Sequence, residues 1–173
     1  MTVLFDTLST PLGPFSVAVG PHGEVLASAF GGRDVLLTRR RDLALPERPT
    51  ALPALRRQLS EYFESRRTRF DLRYAPVGTP FQQKIWALLL GIPFGQTRSY
   101  GDLARDAGSP SAARAVGAAN GANPICVFIP CHRVIGANGT LTGFAFGEER
   151  KRRLLALEGA WELPGLVAPA AAS

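Results

Sequence analysis

The chain has 173 residues, 46% hydrophobic and 20% charged, which fits one soluble globular domain or two small ones and excludes wholesale disorder. Its 20 Lys+Arg outnumber 14 Asp+Glu, the pI is near 10.1, and every cation but Lys84 and Lys151 is arginine. Guanidinium groups bind phosphate bidentately and stack on bases, so the balance favours a polyanionic partner; it fits a high-GC genome equally well.

The longest nearly apolar run, residues 85–94, is far short of the roughly 20 that a membrane span needs. No basic stretch followed by an apolar segment opens the chain, so the expected location is the cytoplasm. Two cysteines, Cys126 and Cys131, and two histidines, His22 and His132, do not make a four-ligand zinc site or a disulfide framework. No metal is expected.

In chain order, residues 2–8, 15–19 and 25–30 read as short strands separated by Pro/Gly turns. Leu52, Leu55, Leu59, Tyr62 and Phe63 recur at helical spacing and predict an amphipathic helix over 51–66. Residues 75–78 read as a linker. Thr79-Pro80-Phe81-Gln82 then supplies an N-cap, a proline at the first helical position and a Gln three residues after the cap. The helix it starts runs to about Leu90, with Phe81, Ile85, Leu88 and Leu89 on its apolar face. Ser99 caps a helix through Ala107, with Asp102 in the capping-box position and Gly108 ending it. After a Ser-Pro turn, a second helix over 112–120 has almost no side chains except Arg114 and Val116. Such a surface suits either tight packing on another helix or close approach of a partner's backbone. Residues 123–130, apolar, β-branched and bounded by prolines, read as a buried strand or extended segment; Cys126 within it reads as a core thiol. The last helix spans 147–158, with Glu148–Arg152 and Glu149–Arg153 as i,i+4 pairs on a solvated face. The Pro/Ala-rich tail, 162–173, is expected to fray.

Pro130-Cys131-His132-Arg133 is the sharpest chemical signal. A thiol becomes a good nucleophile once deprotonated, and a nearby imidazole or cation promotes that. Adjacent residues in a strand face opposite ways, so Cys131 and His132 need an irregular turn to cooperate, and Pro130 supplies a reason for one. Taken alone, the dipeptide is equally consistent with an incidental pair.

The stretches TPFQQKIW, IPFGQTRSYGDLA, ARAVGAANGANP, IPCHRVIG, GTLTGF and ERKRRLLALEG, spanning 79–159, resemble the O6-alkylguanine-DNA alkyltransferases, the methylated-DNA–protein-cysteine methyltransferases. The resemblance implies an α+β fold in two domains. Residues 1–76 would form a small RNase H-like sheet-plus-helix domain. Residues 77–161 would form a mostly helical domain close to a winged helix–turn–helix. Cys131 would accept the alkyl group, and His132 would deprotonate it through a water. Glu158 would hold His132 in the useful tautomer, and Asn123 would brace the active-site segment. Tyr100 would help rotate the nucleotide and protonate the departing guanine. Arg114 would fill the hole left by the flipped base. Gly101, Ala112, Ala113, Ala115 and Gly117 would lie against the minor groove, where bulk would hold the backbone away.

Val134, Phe144, Ala145 and Phe146 would line the alkyl pocket. Here the chain departs from the family's common Gly-Tyr-x-Gly-Gly, reading Gly143-Phe144-Ala145-Phe146-Gly147. If the position of Phe146 needs a positive φ, the ring is costly; if not, it narrows the pocket. The resemblance implies no cofactor, a monomer, and duplex DNA carrying O6-alkylguanine as partner, and leaves activity on O4-alkylthymine open. Two other classes remain: a non-catalytic protein that recognises alkylated DNA, and a cysteine hydrolase. Turnover separates them, since a transferase whose product is a stable thioether acts once.

Overall fold

The computed structural model describes residues 2–161. Met1 and residues 162–173, and with them the expected tail, lie outside the described residues. The fold is mixed α+β. The chain forms two compact units: one holds residues up to Val77 together with Pro124–Phe128, the other Gly78–Asn123 and the residues from Ile129 onward. Among the described residues no helix is long and apolar enough to cross a membrane.

In the first unit, β1 (Leu4–Thr10), β2 (Gly13–Val19) and β3 (Val25–Phe30) form an antiparallel sheet in that order. The β1–β2 hairpin closes at Thr10 opposite Gly13, whose φ of 106° is a conformation only glycine adopts without strain. Thr10 Oγ1 donates to Gly13 O at 2.6 Å. Helix α1 (Arg33–Arg39) packs on β3 and β2. Its sequence lacks a side-chain cap and buries only Leu36, so periodicity gives no sign of it. Helix α2 (Pro53–Phe63) is the amphipathic helix expected over 51–66, shorter by a turn or less at each end. Buried Asp6 on β1 anchors it, accepting from Leu52 N at 3.0 Å and from Arg56 Nε and Nη2 at 2.6 Å each. Burial pushes the Asp6 carboxyl up, but those donors outweigh it and hold it below the usual range.

Residues 123–130 correct the expectation of a strand. They are buried throughout, yet only Ile125 bridges, to Ser28 on β3, and Cys126–Phe128 then turn. Ser28 Oγ donates to Cys126 O at 2.7 Å, and Val127 takes a φ of 72°. A β-branched residue there is strained. Apolarity reported burial correctly but carried no information on backbone path. Cys126 is a core thiol as expected, fully buried. Phe128 packs on Phe70 at 4.8 Å and on Phe15 at 6.0 Å between ring centroids.

In the second unit, α3 (Pro80–Leu90) starts with the expected capping box: Gln82 N donates to Thr79 Oγ1 at 3.2 Å and Thr79 N to Gln82 Oε1 at 2.9 Å. β4 (Arg98–Ser99) leads into α4 (Tyr100–Asp106), where Ser99 and Asp102 repeat the motif at 3.0 Å in both directions. A turn over 107–112 joins α4 to α5 (Ala113–Gly121). Trp86 Nε1 donates to Ala119 O at 2.8 Å and ties α3 to α5. A single 3₁₀ turn, Cys131–Arg133, runs into β5 (Val134–Ile135), which pairs in parallel with β4. Helix α6 (Glu148–Leu157) closes the unit. Its ion pair is Arg152–Glu149 at i,i+3, in place of the expected i,i+4 pairs. Nor is its charged run wholly solvated, because Lys151 is fully buried.

Candidate active site

The irregular turn that Cys131 and His132 require is present. Pro130 takes φ −81° and ψ 66°, outside the helical region, and the 3₁₀ turn begins directly after it. Arg133 N donates back to Pro130 O at 3.0 Å. Cys131 is 5% exposed and His132 is fully buried.

His132 Nε2 lies 2.7 Å from Glu158 Oε2. Glu158 is the residue just past α6, 26 positions away in sequence. A carboxylate accepts only, so Nε2 carries the proton and Nδ1 keeps the basic lone pair. That Nδ1 is buried and has no hydrogen-bond partner among the described residues. Arg133 grips the same carboxylate, with Nε on Oε1 at 2.7 Å and Nη2 on Oε2 at 3.1 Å, while Nη1 donates to Ile92 O at 2.6 Å. Burial pushes the Glu158 carboxyl up, but His132 and Arg133 prevail and hold it down at about 2.

Two asparagines hold the turn, Asn120 on α5 and Asn123 just past its end. Asn123 Nδ2 donates to Ile129 O at 2.8 Å, and Asn120 Nδ2 donates to Cys131 O at 3.2 Å. Tyr100, the first residue of α4, donates its hydroxyl proton to Thr142 O at 2.9 Å. Burial and then the charge of Cys131 push this phenol up, and the nearby Asn120 amide opposes them. Lys151 donates to Val134 O at 2.5 Å and to Thr142 O at 2.9 Å. Burial pulls its pKa down to about 8, against the attraction of Cys131 and Glu148. Its ammonium lies 5.9 Å from the Tyr100 ring centroid. An ionisable thiol is thus surrounded by a base braced by a carboxylate, a phenol, and a desolvated cation. That set suits nucleophilic attack by sulfur with a proton held close to the leaving group. Among the described residues no cluster of three or more His, Cys, Asp and Glu could hold a metal ion.

Residues 80–160 match the family described as 6-O-methylguanine DNA methyltransferase, DNA binding domain. A methylated-DNA–protein-cysteine methyltransferase of Mycobacterium tuberculosis is 46% identical over 154 residues, which is 89% of this chain and 91% of that protein. The crystal structure of Mycobacterium tuberculosis OGT in complex with DNA superposes with a TM-score of 0.80 at 42% identity, covering 90% of this chain and 92% of that one. The chain belongs to the methylated-DNA–protein-cysteine methyltransferase family. The O6-methylguanine-DNA methyltransferase of Pyrococcus kodakaraensis shares the fold at 22% identity, with a TM-score of 0.64 over 91% of this chain and 99% of that one.

The positions expected at a DNA interface lie on α4, on α5 and at the N-cap of α5. Arg114 is exposed, without a side-chain partner among the described residues, and Ala115 beside it is exposed too. Gly101, Ala112, Ala113 and Gly117 are half-buried. Of the four positions expected to line an alkyl pocket, Val134 and Phe144 are buried, Ala145 is exposed and Phe146 is half-buried. The rings of Phe144 and Phe146 meet edge-on, 5.7 Å between centroids. Positive φ falls on Gly143 and Gly147, not on Phe146. The ring therefore carries no backbone penalty, and the narrowing alternative remains.

Gly143 shapes this methyltransferase-family site as well. It has a φ of 85°, and a Cβ there would sit 2.7 Å from the Tyr100 hydroxyl oxygen. Gly143→Ala is expected to displace that hydroxyl and to cost about 1–3 kcal/mol in backbone strain. Thermal unfolding should show the loss, and an unchanged melting temperature would contradict it.

Sequence reasoning did not assign Arg133, Lys151 or Asn120. Arg133 stood in the cysteine motif without a role. Asn120, the polar residue in a run of Ala and Gly, was a visible signal. Lys151, inside Arg150-Lys151-Arg152-Arg153, looked like one more solvated cation.

Proposed function

We propose that this chain repairs alkylated DNA directly, moving the alkyl group from O6 of guanine in a duplex to Cys131 Sγ, once per molecule. The observation that carries the reading is the buried Cys131–His132–Glu158 set, with Nδ1 of His132 left as the basic atom. In the step, His132 takes the thiol proton through a water. The sulfur attacks the alkyl carbon, an S–C bond forms, and the C–O6 bond breaks. Tyr100 gives its proton to the departing guanine and recovers one from solvent. The thioether product is not activated for removal, so the protein is consumed. Lys151 stabilises the thiolate from a desolvated position, where a charge acts strongly.

A base inside a duplex is out of reach of a buried thiol. We infer that it is flipped out, at a cost of a few kcal/mol that is smaller for a damaged pair. Arg114 takes its place in the stack, and the small residues of α4 and α5 let the backbone close on the minor groove, α5 serving as the recognition helix of a winged helix–turn–helix. Asn123 keeps that helix joined to the active-site turn through Ile129 O. The first unit is assigned an RNase H-like architecture, and the protein acts as a cytoplasmic monomer. O4-alkylthymine offers the same alkyl carbon on an exocyclic oxygen and is a second substrate.

Intact-protein mass spectrometry after incubation with duplex DNA bearing O6-methylguanine tests this. One methyl increment, mapped to the Cys131 peptide and saturating at one per molecule, is expected. Lesion binding with no mass change would leave a recognition protein; multiple turnovers would leave a hydrolase.

Phe146 narrows the alkyl pocket in this reading. Phe146→Gly is expected to speed benzyl transfer from O6-benzylguanine about tenfold, ~1.4 kcal/mol of barrier, while methyl transfer changes little. Equal benzylation rates in the two proteins would remove Phe146 from the pocket wall.

A further inference from the structure

Arg133 is buried, and each nitrogen of its guanidinium is engaged. Nε and Nη2 fork onto the two oxygens of Glu158 at 2.7 and 3.1 Å, and Nη1 donates to Ile92 O at 2.6 Å. The Phe94 ring faces the same group, its centroid 5.9 Å from Cζ. A guanidinium stays protonated throughout the pH range of proteins, so it does not leave this pair by losing its charge. His132 Nε2 shares Oε2 at 2.7 Å and is fully buried. One buried carboxylate balances one buried cation, and Arg133 is already that cation. A second proton on His132 would add a positive charge with no counter-charge. It would enter at Nδ1, which is buried and has no hydrogen-bond partner among the described residues.

We infer that Arg133 is a positioning residue acting through Glu158: it balances the carboxylate and so keeps His132 a neutral base. This rests on the alkyl transfer proposed above, in which Nδ1 accepts the thiol proton. Without Arg133, carboxylate and imidazole would form the ion pair themselves, and the base would be lost. Glu158 orients the ring, and Arg133 decides how many protons it carries. Helices α3 and α6 pack on this turn. Lys151 on α6 is buried and adds a positive charge that also disfavours a second proton. Lys84, the cation of α3, donates to Ala107 O. The other charges of α6 are turned more to solvent, Glu148, Glu149 and Arg153 exposed and Arg150 and Arg152 half-buried. Cys131 acts the opposite way, drawing a proton onto His132 as it ionises, which is the transfer itself. The Tyr100 phenol donates to Thr142 O.

The chain has two histidines, His22 and His132, so nitrogen NMR of the imidazoles observes His132 directly, with His22→Gln for assignment. Without DNA at pH 7, wild-type His132 is expected to carry one proton, on Nε2. Arg133→Gln keeps an N–H donor but no charge, and its doubly protonated fraction is expected to rise about tenfold or more. Arg133→Lys keeps the charge and is expected to hold the ring at one proton. Adding Glu158→Gln to Arg133→Gln removes the charge that draws the second proton and is expected to restore the single one. In single-turnover methyl transfer at saturating lesion duplex, Arg133→Gln is expected to lose rate at neutral pH and recover it as pH rises. Lost packing alone would slow transfer at every pH. A doubly protonated wild-type His132 at pH 7, unchanged protonation in Arg133→Gln, or a rate loss that pH does not recover would overturn the proposal. If the wild type transfers no methyl, the proposed function fails while the NMR measurement still decides the role of Arg133. If Arg133→Gln does not fold, Arg133→Met takes its place, and the wild-type measurement stands without either.

Discussion

Cys131→Ser is expected to take up no methyl group from O6-methylguanine duplex, while binding that duplex with a dissociation constant within about twofold of wild type, under ~0.5 kcal/mol. The substitution exchanges one atom in a site that is 5% exposed, so it opens no cavity and leaves the 3₁₀ turn intact. A serine hydroxyl is far less acidic and less polarisable than a thiol, and removing a nucleophile costs on the order of 10⁶ in rate. Binding should survive because the exposed surface of Arg114 and Ala115 does not include Cys131. Salt should weaken both proteins alike, since phosphate contacts set that dependence. Measured by mass spectrometry and by titration of a labelled duplex, retained transfer in the serine protein would dismiss Cys131 as acceptor. Loss of binding in step with transfer would dismiss the separation of roles between the turn and α5.

Glu158→Gln should damage rate and stability together. Its carboxylate is fully buried and shared by His132 at 2.7 Å and Arg133 at 2.7 Å. Neutralising it leaves Arg133 a buried cation without its counter-charge, a loss of about 3–5 kcal/mol. It also removes the group that fixes the tautomer of His132, and a misplaced general base costs roughly 10²–10⁴ in rate. The pH dependence has a definite sign. Burial raises the Glu158 carboxyl, His132 and Arg133 lower it, and the net folded value is about 2 against an ordinary 4.5. A depressed pKa contributes stability that is present above the unfolded value and lost as pH falls through the folded one. The wild type should therefore lose on the order of 3 kcal/mol from this group between about pH 5 and pH 2. Glu158→Gln should lack that component. Denaturant midpoints measured across this range decide it, and equal acid losses in the two proteins would show that the carboxylate is not held by its partners.

Local chemistry made much of the fold legible. Both capping boxes, Thr79–Gln82 and Ser99–Asp102, were readable because each is a bond between residues three apart. The β1–β2 hairpin was readable because Gly13 marks a conformation that other residues avoid. Residues 123–130 were not: seven apolar residues fix burial, but the turn at Val127 is held by Ser28, whose hydroxyl and backbone come from β3. Helix α1 escaped for the related reason that packing on the sheet, not an apolar stripe, holds it.

The site divides along the same line. The order Pro-Cys-His-Arg, the Ala/Gly helix with its arginine and the Phe pair are properties of the sequence itself; the family resemblance rests on the first two, and the third departs from the family pattern. Tertiary structure decided that Lys151 leaves solvent, that Arg133 shares the Glu158 carboxylate with His132, and that Asn120 donates to Cys131 O. These contacts join residues 11 to 26 positions apart, too far for periodicity or capping to register. A charge in an arginine-rich run looks solvated until folding places backbone carbonyls around it. Only then do desolvation and pairing set its chemistry.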